Sequence, residues 1–251
     1  MEIIQVDQSN IEREHVCCAN SDKKGDSCLA SRKAWMKSQF DTGLTFKKLN
    51  VNGKVFIEYM PAENAWCPIE APGFLFVKCF WVSGQYKGKG YANALLEACI
   101  TDAKLQNKQG LVILSSPKKL PFLSDPKYLK YKGFLVCDKA NPHFELLYLP
   151  FTETASKPSF KPCCKEGSIE ASGYILYYSD QCPYAEKYSM LVAQAAKEQG
   201  TEVKLIKFSS SEEARNAPSP FTTYSLFHNG AFVTNEILSV PKFIKLLKGT
   251  Q

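Results

Sequence analysis

Phe74-Leu-Phe-Val-Lys-Cys-Phe-Trp-Val82, running into Ser83-Gly-Gln-Tyr-Lys-Gly-Lys-Gly90, is the stretch from which the fold can be read. Its first nine residues are almost wholly apolar and rich in aromatic and branched side chains, which predicts a strand largely buried on both faces. Beyond Gly90, the residues Ala92, Leu95, Leu96, Cys99, Ile100 and Ala103 recur at helical spacing, and Gly110 is expected to end that helix. Leu111-Val-Ile-Leu-Ser115 supplies the next strand. The unit is strand, loop, helix, strand. In its loop, glycines allow close backbone approach and free amides meet the positive end of the following helix, an arrangement suited to phosphate. Lys87 and Lys89 add mobile positive charge.

The hexapeptide Gln85-Tyr86-Lys87-Gly88-Lys89-Gly90, set between strand and helix, resembles motif A of the GNAT N-acetyltransferases. In that family a Gln/Arg-x-x-Gly-x-Gly/Ala loop binds the pyrophosphate of acetyl-CoA. The resemblance implies an α/β (α+β) fold with a mixed central sheet flanked by helices. It also implies acetyl-CoA as cosubstrate, held by Phe80, Trp81, Val82, Gln85, Tyr86, Lys87, Gly88, Lys89, Gly90 and Tyr91. GNATs splay the central strand from its neighbour just before the loop, and an unpaired main-chain amide there, expected at Phe80 to Val82, polarises the thioester carbonyl.

Upstream, Glu2 to Val6 reads as a strand, Ser9 or Asn10 as the cap of a short helix, and Asp22 to Asp26 as a polar loop. Leu29 to Phe40 is expected to be helical, with Trp35, Met36 and Phe40 inward and Gly43 at its exit. Two strand-like runs, Leu44–Leu49 and Lys54–Tyr59, flank Val51-Asn52-Gly53, a hairpin signal. The proline-bounded stretch Met60 to Pro68 is expected over the acyl end of the sheet, where Glu58, Glu63 and Trp66 would line an acceptor pocket.

Acetyl transfer to an amine needs a neutral amine, a polarised carbonyl and a protonated leaving thiol. Glu58 is the first candidate for the base and Glu63 the reserve, although Glu58 also fits a solvent-facing strand position alternating with Ile57 and Tyr59. Many GNATs place a tyrosine one helical turn before a Gly-Phe pair, where it protonates the departing thiolate. Gly133-Phe134 fits that ending, while Leu129 occupies the expected tyrosine position and Tyr128 and Tyr131 flank it. Either tyrosine could be the acid, or both could pack on a small helix. Phe134 to Cys137 and Phe144 to Leu149 would close the sheet as an antiparallel pair.

A chain of 251 residues can hold two modest domains. Its 31 basic residues exceed 25 acidic ones by a formal charge of +6, spread along the chain. That suits anionic ligands and lacks a nucleic-acid signature. The N-terminus carries no secretory signal and no segment is long enough to span a bilayer, so a cytoplasmic location is expected. Ten scattered cysteines, several inside apolar patterns, read as buried thiols in a reducing compartment. His15, Cys17, Cys18 and Cys28 could gather around a soft metal, but the spacing is not that of a structural zinc site, and no metal is expected.

From Phe151 to Ser168 periodicity disappears, which predicts a surface linker between a domain at 1–150 and another at 169–251. In the second, a strand over Tyr174–Tyr178 leads to Cys182-Pro-Tyr-Ala185 at the start of a helix. A strand, a helical turn, a hairpin at His228-Asn229-Gly230 and a last helix follow. This order resembles the thioredoxin fold, glutaredoxins in particular. Ala185 replaces the resolving cysteine of that family, and Thr222 and Thr223 stand where it has a cis-proline. The resemblance therefore implies a degenerate module, with Cys182 the remaining nucleophile at a helix N-terminus.

The two parts together resemble the YoaP-type acetyltransferases over nearly the whole chain. They imply direct transfer of acetyl from acetyl-CoA to an amine of a small molecule or peptide, by a monomer or homodimer acting without nucleic acid or membrane. The alternative is a thiol-based redox or sensor protein using Cys182, with the first domain as a CoA-binding support.

Overall fold

The computed structural model describes residues 2–18, 27–51 and 53–249. Asn52 and the polar segment at Asp22 to Asp26 lie outside them. The first half carries β1 (Ile3–Val6), α1 (Ser27–Phe40), β2 (Thr45–Leu49), β3 (Val55–Pro61), β4 (Ile69–Glu70), β5 (Phe74–Val82), α2 (Tyr91–Leu105), β6 (Gly110–Ser115), α3 (Pro126–Tyr131), β7 (Leu135–Ala140) and β8 (Phe144–Pro150). Seven of its strands form one sheet in the order β1-β2-β3-β5-β6-β8-β7. Neighbours are antiparallel except β5 and β6, which run parallel. This is the expected mixed central sheet flanked by helices. Two local expectations shift: residues 8–13 form turns instead of a capped helix, and α2 ends at Leu105, leaving Gly110 to open β6.

Side-chain alternation sorts the sheet into two apolar faces. Ile57, Tyr59, Leu75, Val77, Leu111 and Ile113 pack with Leu95, Leu96, Cys99 and Ala103 of α2. On the opposite face Phe56, Met60, Phe74, Phe76, Val112 and Leu114 pack with Trp35 and Met36 of α1.

The second half holds β9 (Ser159–Phe160), β10 (Tyr174–Tyr178), α4 (Pro183–Glu198), β11 (Val203–Lys207), α5 (Ser211–Arg215), β12 (Tyr224–His228), β13 (Ala231–Thr234) and α6 (Val240–Gly249). A four-stranded sheet has the order β11-β10-β12-β13, with β10 and β11 parallel and the other pairs antiparallel. Alternation along β10 sends Tyr174, Leu176 and Tyr178 towards α4 and α6. It sends Tyr177 the other way, into a core shared with the first half that also takes Phe208, Ala214 and Ala217.

The two halves are thus joined through a continuous core. Around it, Arg215 donates from Nη1 to Ala62 O at 2.9 Å and from Nη2 to Ile69 O at 3.2 Å, and Thr222 Oγ1 donates to Trp66 O. The stretch expected to wrap the surface as a linker is anchored as well. β9 pairs with β4, and Phe160 and Cys164 are fully buried. Its aperiodic composition hides this because only isolated residues, not a repeating face, point inward.

Candidate active site at the splayed strand

β5 is held differently on its two edges. Along β6 it pairs only from Phe74 to Val77, whereas along β3 it pairs to its end, where Val82 faces Val55. From Lys78 onward the β6 side is therefore open. The register against β3 also slips there: Glu58 faces Cys79 and Tyr59 faces Val77, so Lys78 is the extra residue of a β-bulge. Bulges re-aim side chains and increase local twist, which accounts for the divergence. The expected opening at Phe80 to Val82 exists, and it begins earlier, at Lys78.

The loop beyond the splay folds as a short 3-10 turn, Gly84–Tyr86, and then enters α2. Gly88 and Gly90 have φ of +75° and +78°, and a Cβ on either would point into open space. Gly90 is the N-cap of α2 and supplies no side-chain cap, leaving the first-turn amides directed outward. Outward amides at a positive helix end can receive an anion, and the Lys89 ammonium stands 5.8 Å from the Tyr86 ring centre. Tyr86 and Tyr91 lie with ring centres 6.1 Å apart, and a Cβ on Gly53 would collide with Tyr86 at 2.1 Å, so the hairpin backbone forms one wall of the loop. Gln85 and Lys87 lie on the same turn, Trp81 is 48% exposed beside it, and Phe80 and Val82 point to the α2 face.

Tyr128 and Tyr131 separate cleanly. The short helix α3 is capped by Asp125, whose carboxylate accepts from Lys127 N, and it turns its Leu129 into the core. Tyr128 then faces the splay: its ring meets Phe80 edge-on at 5.7 Å and its hydroxyl donates to Asn93 Oδ1 at 3.2 Å. Burial pushes its pKa up to about 12, so it keeps its proton at neutral pH. Tyr131 is 82% exposed.

The carboxylates are elsewhere than expected. β3 runs antiparallel to β5, so the loop leaving β3 lies at the entrance of β5, the far end from Gly88 and Gly90. Glu63 accepts from Gly73 N at 2.7 Å, roughly 25–30 Å along β5 from the anion seat. Trp66 is buried against Trp35 and donates to Gln39 Oε1 at 2.9 Å. The stretch from Met60 to Pro68 therefore does not cover the acyl end, a relation that strand direction fixes and that residue order alone conceals.

Glu58 is neither solvent-facing nor on an open wall. It is 1% exposed, on the α1 face, bonded by Arg32 Nη2 at 2.6 Å and approached by Lys78 Nζ at 3.5 Å. Burial alone would raise its pKa, but Arg32 and then Lys78 hold it below the usual carboxylate range. Burial, opposed by Glu58, lowers the pKa of Lys78. Arg32 and Lys78 also stand over the Trp35 ring at 4.9 and 5.4 Å. Sequence reasoning missed both cations, although a lone lysine inside an apolar nine-residue strand is itself the signal of a buried charge needing a partner.

The second half meets the splay at this cluster. Lys78 Nζ donates to Gln181 O at 2.9 Å, which puts Cys182, the N-cap of α4, one lysine side chain from the bulge. Gln181 is itself fixed by Nε2 donation to Ser179 Oγ and to Thr222 Oγ1, both at 2.9 Å. The helix N-terminus does not acidify Cys182: burial pushes its pKa up, against the Tyr184 amide, Lys78, Arg32 and the Ala185 amide. None of the ten cysteines is in a disulfide. Among the described residues no group of three His, Cys, Asp or Glu side chains could hold a metal, and no helix is long and apolar enough to cross a membrane.

Comparison with known proteins adds the following. The YoaP-like family matches residues 203–245. A Bacillus subtilis (strain 168) protein described as "Uncharacterized N-acetyltransferase YoaP" is 42% identical over 244 residues, covering 97% of this chain and 97% of the relative. Among solved structures, YncA, a putative acetyltransferase from Salmonella typhimurium with its cofactor acetyl-CoA, is 14% identical, covers 62% of this chain and 96% of its own, and has a TM-score of 0.42. The ribosomal-protein-S18-alanine N-acetyltransferase from Escherichia coli is 15% identical, with coverages of 61% and 95% and a TM-score of 0.41.

Proposed function

We propose, from the premise that this chain belongs to the YoaP family of N-acetyltransferases, that it transfers the acetyl group of acetyl-CoA directly to an amine of a small molecule or peptide. The observation that carries this reading is the splay of β5 from β6 at Lys78, continuous with a glycine loop whose amides face an open anion seat. The pyrophosphate would rest on the Gln85–Gly90 loop and the first turn of α2, beside Tyr86, Lys87, Lys89 and Tyr91. The pantetheine arm would take up the backbone groups of Lys78 to Val82 that β6 leaves unpaired, bringing the thioester to the bulge. There, an amide of the freed edge polarises the carbonyl, as preorganised donors do for developing oxyanions.

Tyr128 is the acid in this reading. Its ring packs edge-on against Phe80 of the free edge, its hydroxyl is held by Asn93, and its raised pKa keeps it protonated until the thiolate leaves. Glu58 acts first as the anchor of Arg32 and Lys78. We read 1–150 as the acetyltransferase domain, 151–168 as its pinned connection and 169–251 as a second domain, thioredoxin-like in the order and direction of β10 to β13. The undisulfided cysteines support a reducing, cytoplasmic setting for a monomer or homodimer that needs neither nucleic acid nor membrane.

Calorimetric titration with acetyl-CoA, repeated on Gly90→Val, tests the reading. Binding that is lost in the variant is expected. A wild-type protein that takes up no acetyl-CoA overturns it.

A further inference from the structure

β5 leaves β6 at a residue whose side chain is tied to both halves of the chain. The last β5–β6 pair is Val77 with Ile113, so Lys78 is the first residue of the open edge. It is also the extra residue of the bulge against β3. Its backbone belongs to the opening, while its side chain, 10% exposed, runs into the seam where the halves meet. There Nζ donates to Gln181 O at 2.9 Å and stands 3.5 Å from Glu58 Oε1, with the centre of the Trp35 ring 5.4 Å away.

Both ends of this tie are fixed. Glu58 is held by Arg32 of α1 at 2.6 Å. Gln181 is 4% exposed and donates from Nε2 to Ser179 Oγ and Thr222 Oγ1, both at 2.9 Å. Ser179 Oγ donates in turn to Thr222 O at 3.0 Å, and Thr222 Oγ1 donates to Trp66 O. A turn bonded in this way presents its carbonyl at a set place, and a buried polar group parted from such a partner is costly to leave unmatched.

The competing arrangement is a longer ladder. β6 runs on beyond Ile113 through Leu114 and Ser115, which pair with β8 on their other side. Strand edges with unpaired amides and carbonyls pair readily. Extending the β5–β6 ladder past Val77 means straightening the bulge, and that moves Lys78 away from the carboxylate and the carbonyl that hold it. The two contacts therefore favour the open form. An opening that exists before its ligand arrives lowers the ordering cost of binding.

We propose that Lys78 is a positioning residue for acetyl transfer: through its bond to Gln181 O, the second half holds the β5 bulge and so keeps open the cleft that takes the pantetheine arm of acetyl-CoA. This rests on the acetyl-CoA reading above. The second half then serves the reaction without supplying a reacting group, and the glycine loop, beyond the far end of β5, keeps its own hold on the pyrophosphate.

Calorimetric titration of the full-length protein with acetyl-CoA and with its 3′-phospho-ADP fragment, which carries the pyrophosphate and lacks the pantetheine arm, tests the proposal. Lys78→Met should raise the Kd for acetyl-CoA about tenfold or more and leave that for the fragment within about twofold. Gln181→Met, a change confined to the second half, should act in the same selective direction, and it decides alone if Lys78→Met does not fold. Val192→Ala, in the separate core of the second half, lowers stability without touching the tie and should bind both ligands as the wild type does below its melting temperature. Unchanged acetyl-CoA affinity in the Lys78 and Gln181 variants would overturn the proposal. So would an equal loss of both ligands, or the same selective loss in Val192→Ala, since either is a general effect of destabilisation. A wild-type protein that binds no acetyl-CoA would instead remove the reading on which the proposal rests.

Discussion

Replacing Glu58 with glutamine tests the buried cluster most directly, because it removes a charge while preserving volume. In the wild type, Arg32 Nη2 sits 2.6 Å from the carboxylate and Lys78 Nζ 3.5 Å, with the first pair sealed from solvent. Glu58→Gln leaves both cations facing a neutral amide. Breaking a buried ion pair from one side costs about 3–5 kcal/mol. In a chain of this size each kcal/mol lowers the melting temperature by roughly 2–4 °C, so a fall of about 10 °C is expected. The deficit should depend on pH in two ways. Glu58 has a folded pKa below its ordinary 4.5, so its contribution is fully present above that value and is lost as pH falls through the folded pKa. The gap between wild type and variant therefore narrows in acid. Lys78 already has a lowered pKa, and loss of Glu58 lowers it further, so the variant also recovers stability towards alkaline pH as Lys78 sheds its proton. Adding Arg32→Met should restore about 2 kcal/mol relative to the sum of the single changes, because the two residues share one interaction. Thermal and urea unfolding followed by circular dichroism between acid and alkaline pH measures all of this. A loss below about 1 kcal/mol, flat with pH, would refute the account of Glu58 as the counter-ion of two buried cations.

Gly90→Val forces a branched residue into φ +78°, at a cost of about 1–2 kcal/mol, and fills the seat in front of the α2 amides. The protein should stay folded by circular dichroism and lose calorimetric acetyl-CoA binding. Tyr128→Phe should lower kcat on the order of 100-fold with little change in KM for acetyl-CoA, while Tyr131→Phe, on an 82% exposed residue, should leave steady-state rates unchanged. Since the Tyr128 pKa is pushed up to about 12, any alkaline fall in rate near pH 8–9 should persist in Tyr128→Phe, which a pH–rate profile of both proteins checks. Phe160→Ala, in the connecting stretch, should destabilise by about 3–5 kcal/mol in urea melts, as core truncation does and surface-linker substitution does not.

The parts of the fold legible in the sequence were those written locally. The apolar run of β5, the glycines at positive φ and the helical spacing of α2 sit side by side in the chain, and each constrains its own backbone. What escaped depends on partners far apart in sequence. Arg32 and Glu58 are 26 residues apart, and nothing in either local pattern names the other. The placement of Glu63 at the wrong end of β5 follows from strand direction, a property of the pairing. Tyr128 and Tyr131 are equivalent by spacing, and only the burial of Leu129 between them decides which one reaches the free edge.

The seam between the halves bears on how such a chain can change over generations. Phe160 threads from the connecting stretch into the core of the first half, Arg215 caps two of that half's carbonyls, and Lys78 reaches across to Gln181. A module exchanged for a relative's would arrive without the matching half of each contact, leaving apolar surface bare and a lysine stranded. A substitution on one side of the seam therefore leaves its partner on the other unsatisfied, which couples the stability of the two parts.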